Sequence, residues 1–224
     1  MKKVLALFFA VLMSTAAFAE NKGENLLLNG GFEAADSAQK PLHWTAEHWI
    51  DSSEYKSQNQ KTHSGKMALE IKSGAENDIR LVQVAKVKPN TFYKLSGWIA
   101  TEKVILDKTG ANLCVVDDFH HTISLNGTSD WLPVELNFLT HSNQTEVKIG
   151  ARLGMWGNTV TGTVWFDDLS LVELDKRPDV YEKLVDKNET GKSQPKRKGN
   201  WIWLLPIAVL AIAGIIIYDL KKKK

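Results

Sequence analysis

Between residues 25 and 174 the apolar positions recur at every second residue. In KMALEIK, Met67, Leu69 and Ile71 alternate with Ala68, Glu70 and Lys72, and FYKLSGWIA, WLPVELNFLT, TEVKIGARLG and TVWFDDLSLVEL repeat the pattern. A period of two sends successive side chains to opposite faces of a pleated strand, so these segments predict strands with one buried face. Clusters of Gly, Asn, Asp and Ser (HSGK, KPNT, LNGTSD, HSNQT, GNTVTGT) separate the runs and predict short connections. Short strands between such turns, with no long helical stripe among them, describe an all-β fold: an antiparallel jelly-roll β-sandwich. In NLLLNGGFE the apolar run stops at Gly30 and Gly31, which reads as a strand entering a turn of positive φ.

The ends of the chain depart from this pattern. Met1 to Ala19 has Lys2 and Lys3, the apolar run Val4 to Met13 and small residues at Ala17 and Ala19, the layout of a secretory signal peptide over 1–19. Trp201 to Tyr218 is uncharged and at 1.5 Å per residue spans roughly 27 Å, which predicts a single C-terminal transmembrane helix. Lysines and arginines flank both of its ends, so the positive-inside rule alone does not orient it. The signal peptide does, placing the sandwich outside the cytoplasm and the basic tail 219–224 inside. MKK and AFA fit a bacterial export signal, on which the Asn-x-Thr sequons at Asn126, Asn143 and Asn188 are fortuitous; in a eukaryote the terminal lysines would read as a retrieval signal and the sequons as glycosylation sites. A sandwich over 20–174 and a charged linker over 175–200 complete the expected organisation.

Charge and cysteine content narrow the function classes. The formal net charge is +2, and without Lys2, Lys3 and Lys221 to Lys224 it becomes −4, so the exported part is mildly acidic. That disfavours a nucleic-acid partner, which needs a basic stripe. Cys114 is the only cysteine, so an internal disulfide is impossible; in the apolar run NLCVV it reads as a buried, inert side chain.

In order along the chain, NLLLNGGFE, PLHWT, HSGKMALEI, VQVAKVKPNTFYKLSGWI, DWLPVELNFLT and GTVWFDDLSL resemble jelly-roll carbohydrate-binding modules with a galactose-binding-like sandwich, of the kind appended to xylanases and other glucanases. The resemblance covers 25–174. It implies a non-catalytic domain that binds polysaccharide or oligosaccharide, often with a buried structural calcium. It also implies that the first and last strands are neighbours, so that Glu33 can meet Asp167 and Asp168. Carboxylates brought together repel unless protonated or metal-bound, and Ca2+ accepts six to eight oxygens, which makes these three the expected calcium ligands. By alternation Asp167 has the parity of Leu169 and Leu171 and faces the core, while Asp168 faces out. The alternative is that Glu33 caps a turn and Asp167 accepts backbone N–H groups.

Sugar rings stack on aromatic faces while their hydroxyls need fixed polar groups. Of the eight tryptophans, Trp201 and Trp203 belong to the membrane interface, and Trp44 and Trp131 stand where the resembling modules carry structural aromatics. Trp156, in a glycine-bounded loop, and Trp49 and Tyr55, in EHWIDSSEY, are the expected stacking platform, with Trp98 as a further aromatic and Arg80, Asn112 and Arg152 as hydroxyl partners. Glycoside hydrolysis would need two carboxylates roughly 5 to 10 Å apart across a sugar. Asp117 and Asp118 beside His120 and His121 are the most suggestive set, but adjacent strand residues point to opposite faces, and DDFHH reads as a polar loop. The expected protein is therefore no enzyme. It is a membrane-anchored module holding a glycan at the cell envelope, with a partner enzyme or envelope protein possible; the same sandwich could instead serve protein–protein contact, and a small hydrolase or lyase is the less favoured reading.

Overall fold

A computed structural model of the protein describes residues 23–186. The expected signal segment 1–19, the linker beyond 186, the span 201–218 and the tail 219–224 lie outside the described residues. Among the described residues no helix is long and apolar enough to cross a membrane.

Eleven strands follow in chain order: β1 (Thr45–His48), β2 (Ser53–Gln58), β3 (Ala68–Asn77), β4 (Ile79–Lys86), β5 (Phe92–Val104), β6 (Ala111–Val115), β7 (His120–His121), β8 (Gly127–Leu139), β9 (Glu146–Leu153), β10 (Val160–Glu173) and β11 (Glu182–Lys183). A 3-10 turn, Val116–Asp118, precedes β7. The strands form two sheets, ordered β1-β4-β9-β6-β7 and β11-β8-β5-β10-β3-β2. From β3 to β10 the chain crosses between the sheets at each step, β7 excepted, so apart from β2–β3 and β6–β7 neighbouring strands are distant in sequence. All pairings are antiparallel except β11 with β8.

The alternation read from the sequence explains the core. Leu69, Ile71, Leu95, Ile99 and Val164 from the six-stranded sheet meet Leu81, Leu113, Ile149 and Leu153 from the five-stranded one, all essentially inaccessible to water. Burying each such side chain is worth about 1.5–3 kcal/mol relative to exposure, against the entropy of ordering the chain.

The beginning of the chain lies along the final long strand. Leu26 N–H donates to Leu171 O (2.9 Å), Leu169 N–H donates to Gly30 O (2.9 Å), and the Asn25 amide bonds both Leu169 O and Leu171 N–H. This segment is not a regular strand, and neither glycine takes the positive φ expected of it. The positive φ angles fall on Asn29 (53°) and Phe32 (56°), whereas a Cβ on Gly30 would stand 2.0 Å from Leu169 O. Gly30 is required by the close approach of two backbones rather than by a left-handed turn.

The charged stretch after Leu174 does not leave the domain at once, as a linker from 175 would. Tyr181 packs edge-on against Phe92 (4.9 Å), β11 joins the edge of β8, and Leu184 is buried with its N–H on Leu139 O (3.0 Å). Tyr181 and Leu184 are what dock it, while Val180 and Val185 stay exposed.

Candidate functional site

Two tryptophans stand out of the surface together. Trp49 directly follows β1, with its N–H on Asp78 O (3.0 Å), and Trp156 sits in the turn between β9 and β10 that is closed by reciprocal Met155–Asn158 backbone bonds (3.0 and 2.7 Å). They are 65% and 69% exposed, and their rings meet edge to face with centroids 5.3 Å apart and planes 79° from parallel. A large aromatic surface left in water costs free energy unless something covers it. Two clefts flank the pair: one of about 150 Å3 lined also by Glu47, His48, Asp78 and Arg80, and one of about 270 Å3 lined also by Asp78, Gly157 and Thr159.

The polar walls of these clefts are held by ion pairs. Glu47 and Arg80 are register partners on β1 and β4, with Arg80 Nε donating to Glu47 Oε2 at 2.8 Å, and the Lys148 ammonium bonds the other Glu47 oxygen. Burial alone would raise the Glu47 pKa, but the hydrogen bonds from Lys148 and Arg80 outweigh it and hold the carboxyl below its usual range. Arg152, 1% exposed, grips Asp78 with both arms of its guanidinium, Nε to Oδ1 at 2.7 Å and Nη2 to Oδ2 at 2.5 Å. Burial pulls the Arg152 pKa down, and the Asp78 carboxylate more than compensates, so the net shift is upward. A bidentate clamp of this kind fixes the carboxylate in direction as well as position.

Of the seven residues expected to bind sugar, the structure brings Trp49, Trp156 and Arg80 together. Arg152 lies beneath the clefts, supporting Asp78 rather than lining them. Asn112 is its register partner on β6 and is fully buried, with its amide on Gly110 O (3.1 Å) and no partner for Oδ1. Tyr55 is on β2 in the other sheet, its ring packed toward the core beneath the Lys40 ammonium (3.7 Å to the centroid). Trp98 is also in that sheet: opposite Asp167 on β10, it stacks at 3.9 Å under His63, whose edge meets Trp131 at 5.8 Å. Trp165, nearly buried, donates to Glu70 (3.0 Å) and carries Lys61 over its ring. On the outer face of the six-stranded sheet, Trp165 is thus buried while Trp98 and Trp131 stay half-buried, partly covered by His63 of the 63–67 loop. Trp44 packs against Phe32 (5.3 Å) as expected. Glu47, Asp78 and Thr159 were missed by residue-type reasoning. The legible signal was that Glu47 and Trp49 are two apart, and that Asp78 directly precedes β4, whose first outward residue is Arg80.

At the junction of the first and last segments, Glu33, Asp167 and Asp168 converge on the loop 63–67. Glu33 Oε1 accepts the N–H groups of Lys66 (2.8 Å) and Met67 (3.1 Å), and a Cβ on Gly65 (φ 58°) would stand 2.0 Å from that oxygen. Asp167 accepts from the backbone of His63 (2.8 Å), Ser64 (3.1 Å) and Asp168 (2.8 Å), while Asp168 bonds the His63 ring and the Ser64 hydroxyl, each at 2.6 Å. Burial pushes the Asp167 carboxyl up, and the N–H donors only partly offset it. Asp167 is buried for a different reason than expected. A β-bulge lies between Asp167 and Ser170, with Asp168 at φ 51°, so Phe166 and Leu169 both face the core and Asp167 shares the outer face with Trp98, where the 63–64 loop covers it. Among the described residues no group of three or more His, Cys, Asp or Glu side chains is disposed to hold a metal ion. Cys114 is buried, and burial pushes its thiol up to about 11.

No family model matches the chain. Exochitinase 1 of Streptomyces olivaceoviridis is 29% identical over 168 residues, covering 75% of this chain and 24% of that protein, so the chain spans about a quarter of the relative's length. Among solved structures, TmCBM61 in complex with β-1,4-galactotriose is similar at TM-score 0.50 and 18% identity, over 68% of this chain and 100% of that one. The enzymatically active domain of bacteriophage CBA120 tailspike protein 4 is similar at TM-score 0.50 and 10% identity, over 67% of this chain and 21% of that one. The likeness is one of fold: the two-sheet β-sandwich found in carbohydrate-binding modules.

Proposed function

We propose that the protein is a non-catalytic carbohydrate-binding module, held at the cell envelope by the apolar segment 201–218, and that the clefts around Trp49 and Trp156 take the sugar. The observation that carries the reading is the exposed tryptophan pair standing against polar groups already fixed by ion pairs. A pyranose face covers an indole ring while its hydroxyls meet Arg80, Asp78 and Thr159, and little is spent on ordering a wall that is already ordered. The fold shared with TmCBM61, which is described in complex with a galactotriose, agrees with this.

The same charges argue against glycoside hydrolysis here. A general acid must hold a proton near neutral pH, which requires a raised carboxyl pKa. Glu47 is lowered by Lys148 and Arg80, so it is not set up to donate.

The test is retention of the full chain on an array of polysaccharides and oligosaccharides. Binding to at least one glycan series supports the reading. Retention on none overturns it in favour of a protein-contact role for the same sandwich. Calcium at the first–last junction is a separate proposal: to hold it, Glu33, Asp167 and Asp168 would have to exchange the donors of the 63–67 loop that they now accept from for the ion. A native-state ligand raises the melting temperature, so EDTA should lower it; identical melting curves with and without chelator reject the ion.

A further inference from the structure

The orientation of the two indoles bears on which part of a glycan they meet. We infer that the site receives the terminal unit of a glycan end-on, one chain per protein; this rests on the carbohydrate-binding reading above and goes further by naming the part of the ligand recognised. Successive units in the interior of an extended chain present ring faces one after another along a line, and a platform for them needs aromatic faces set in series. Trp49 and Trp156 stand 79° apart at 5.3 Å, so the edge of one closes off the face of the other. They make a corner.

The position of the corner points the same way. Trp49 follows the edge strand β1, and Trp156 occupies the β9–β10 turn, so the site lies at an end of the sandwich where strands turn back and takes in only the nearest outward residues of β1 and β4 from the sheet face. Asp78 forms part of the wall of both clefts and is clamped by Arg152, which is buried behind it. The wall that Asp78 gives both clefts is therefore fixed in place. The two clefts, about 150 and 270 Å3, are each smaller than the roughly 300–1,000 Å3 of a pocket that engulfs a whole drug-sized ligand, and each suits about one sugar ring. Gly157 lines the larger cleft and an added Cβ there would meet nothing within 4 Å, which leaves room beside it for the remainder of the glycan.

The experiment titrates the full chain with β-1,4-linked oligomers of galactose, glucose, xylose and N-acetylglucosamine, each at three and at six units. For whichever series binds, terminal recognition predicts one protein per oligomer at both lengths and affinities within about threefold of each other. It also predicts that partial hydrolysis of the parent polysaccharide at constant mass raises its power to compete in proportion to the new chain ends, and that Trp156→Ala removes binding at both lengths. More than one protein per six-unit chain, a tenfold or greater gain in affinity from three units to six, or competition indifferent to chain shortening would each overturn the inference while leaving carbohydrate binding intact. Binding of no oligomer and no polysaccharide would instead remove the reading on which it rests.

Discussion

Replacing Arg152 with methionine probes both the fold and the site through one buried contact. The guanidinium is 1% exposed and meets Asp78 through two hydrogen bonds of 2.7 and 2.5 Å, and the Asp78 side chain is itself only 12% exposed. Methionine fills a similar volume without a charge, so the variant leaves the largely buried Asp78 carboxylate without its partner. Breaking a buried pair from one side costs about 3–5 kcal/mol, most of it the penalty of the stranded charge. At roughly 2–4 °C per kcal/mol for a domain of this size, the melting temperature should fall by about 6–20 °C. Adding Asp78→Leu removes the stranded charge and should restore most of the loss, because a buried ion pair replaced on both sides by apolar groups is often neutral in stability. Thermal unfolding of the wild type and the two variants, with glycan binding measured well below each transition, distinguishes the roles. Stability should return in the double variant and binding should not, since Asp78 lines both clefts. A melting temperature for Arg152→Met within about 2 °C of the wild type would refute the reasoning, because less than about 1 kcal/mol would then rest on the pair.

Other consequences follow from individual groups. Glu47 has a folded-state pKa below its ordinary 4.5, so its contribution to stability is fully present above that value and is lost as pH falls through the lowered one. Glu47→Gln should therefore melt earlier than the wild type at pH 7, and the gap should close in acid; a gap that persists unchanged at low pH contradicts the ion pairs. Cys114 should resist thiol reagents in the folded protein, since its thiol is buried and raised to about 11, and should react on unfolding. Labelling that precedes unfolding would show that the cover over β6 opens.

Much of this architecture is legible in the chain because two-residue alternation reports which face of a strand is wet. KMALEIK, FYKLSGWIA and TEVKIGARLG fall largely within the strands they predict, and the first segment runs beside β10 as the resemblance implies. Alternation fails where the ladder gains a residue. The bulge after Asp167 reverses the parity that places Leu169 and Leu171 in the core, so counting back from them puts Asp167 on the wrong face. The site was half legible for a related reason. An exposed aromatic in a glycine-bounded turn can be recognised locally, as Trp156 was, but Tyr55 and Trp98 required knowledge of the sheet in which each strand pairs. Asp78 and Glu47 matter because β1, β4 and β9 are neighbours, and that adjacency joins residues dozens of positions apart. The docked segment ending at Asp186 was hidden by its charge: Leu184 is its one buried apolar side chain among residues that read as solvated.

The central claim is that the exposed pair at the sandwich end binds sugar and the partly covered aromatic layer on the six-stranded sheet does not. Its most direct test measures affinity and melting temperature side by side for Trp156→Ala and Trp98→Ala, against the glycan best retained by the wild type. Trp156 is 69% exposed, and Trp98 lies stacked under His63 at 3.9 Å. The account predicts that Trp156→Ala loses binding with melting nearly unchanged, and that Trp98→Ala melts earlier with affinity retained. The opposite assignment, affinity lost with Trp98 and kept without Trp156, would contradict it.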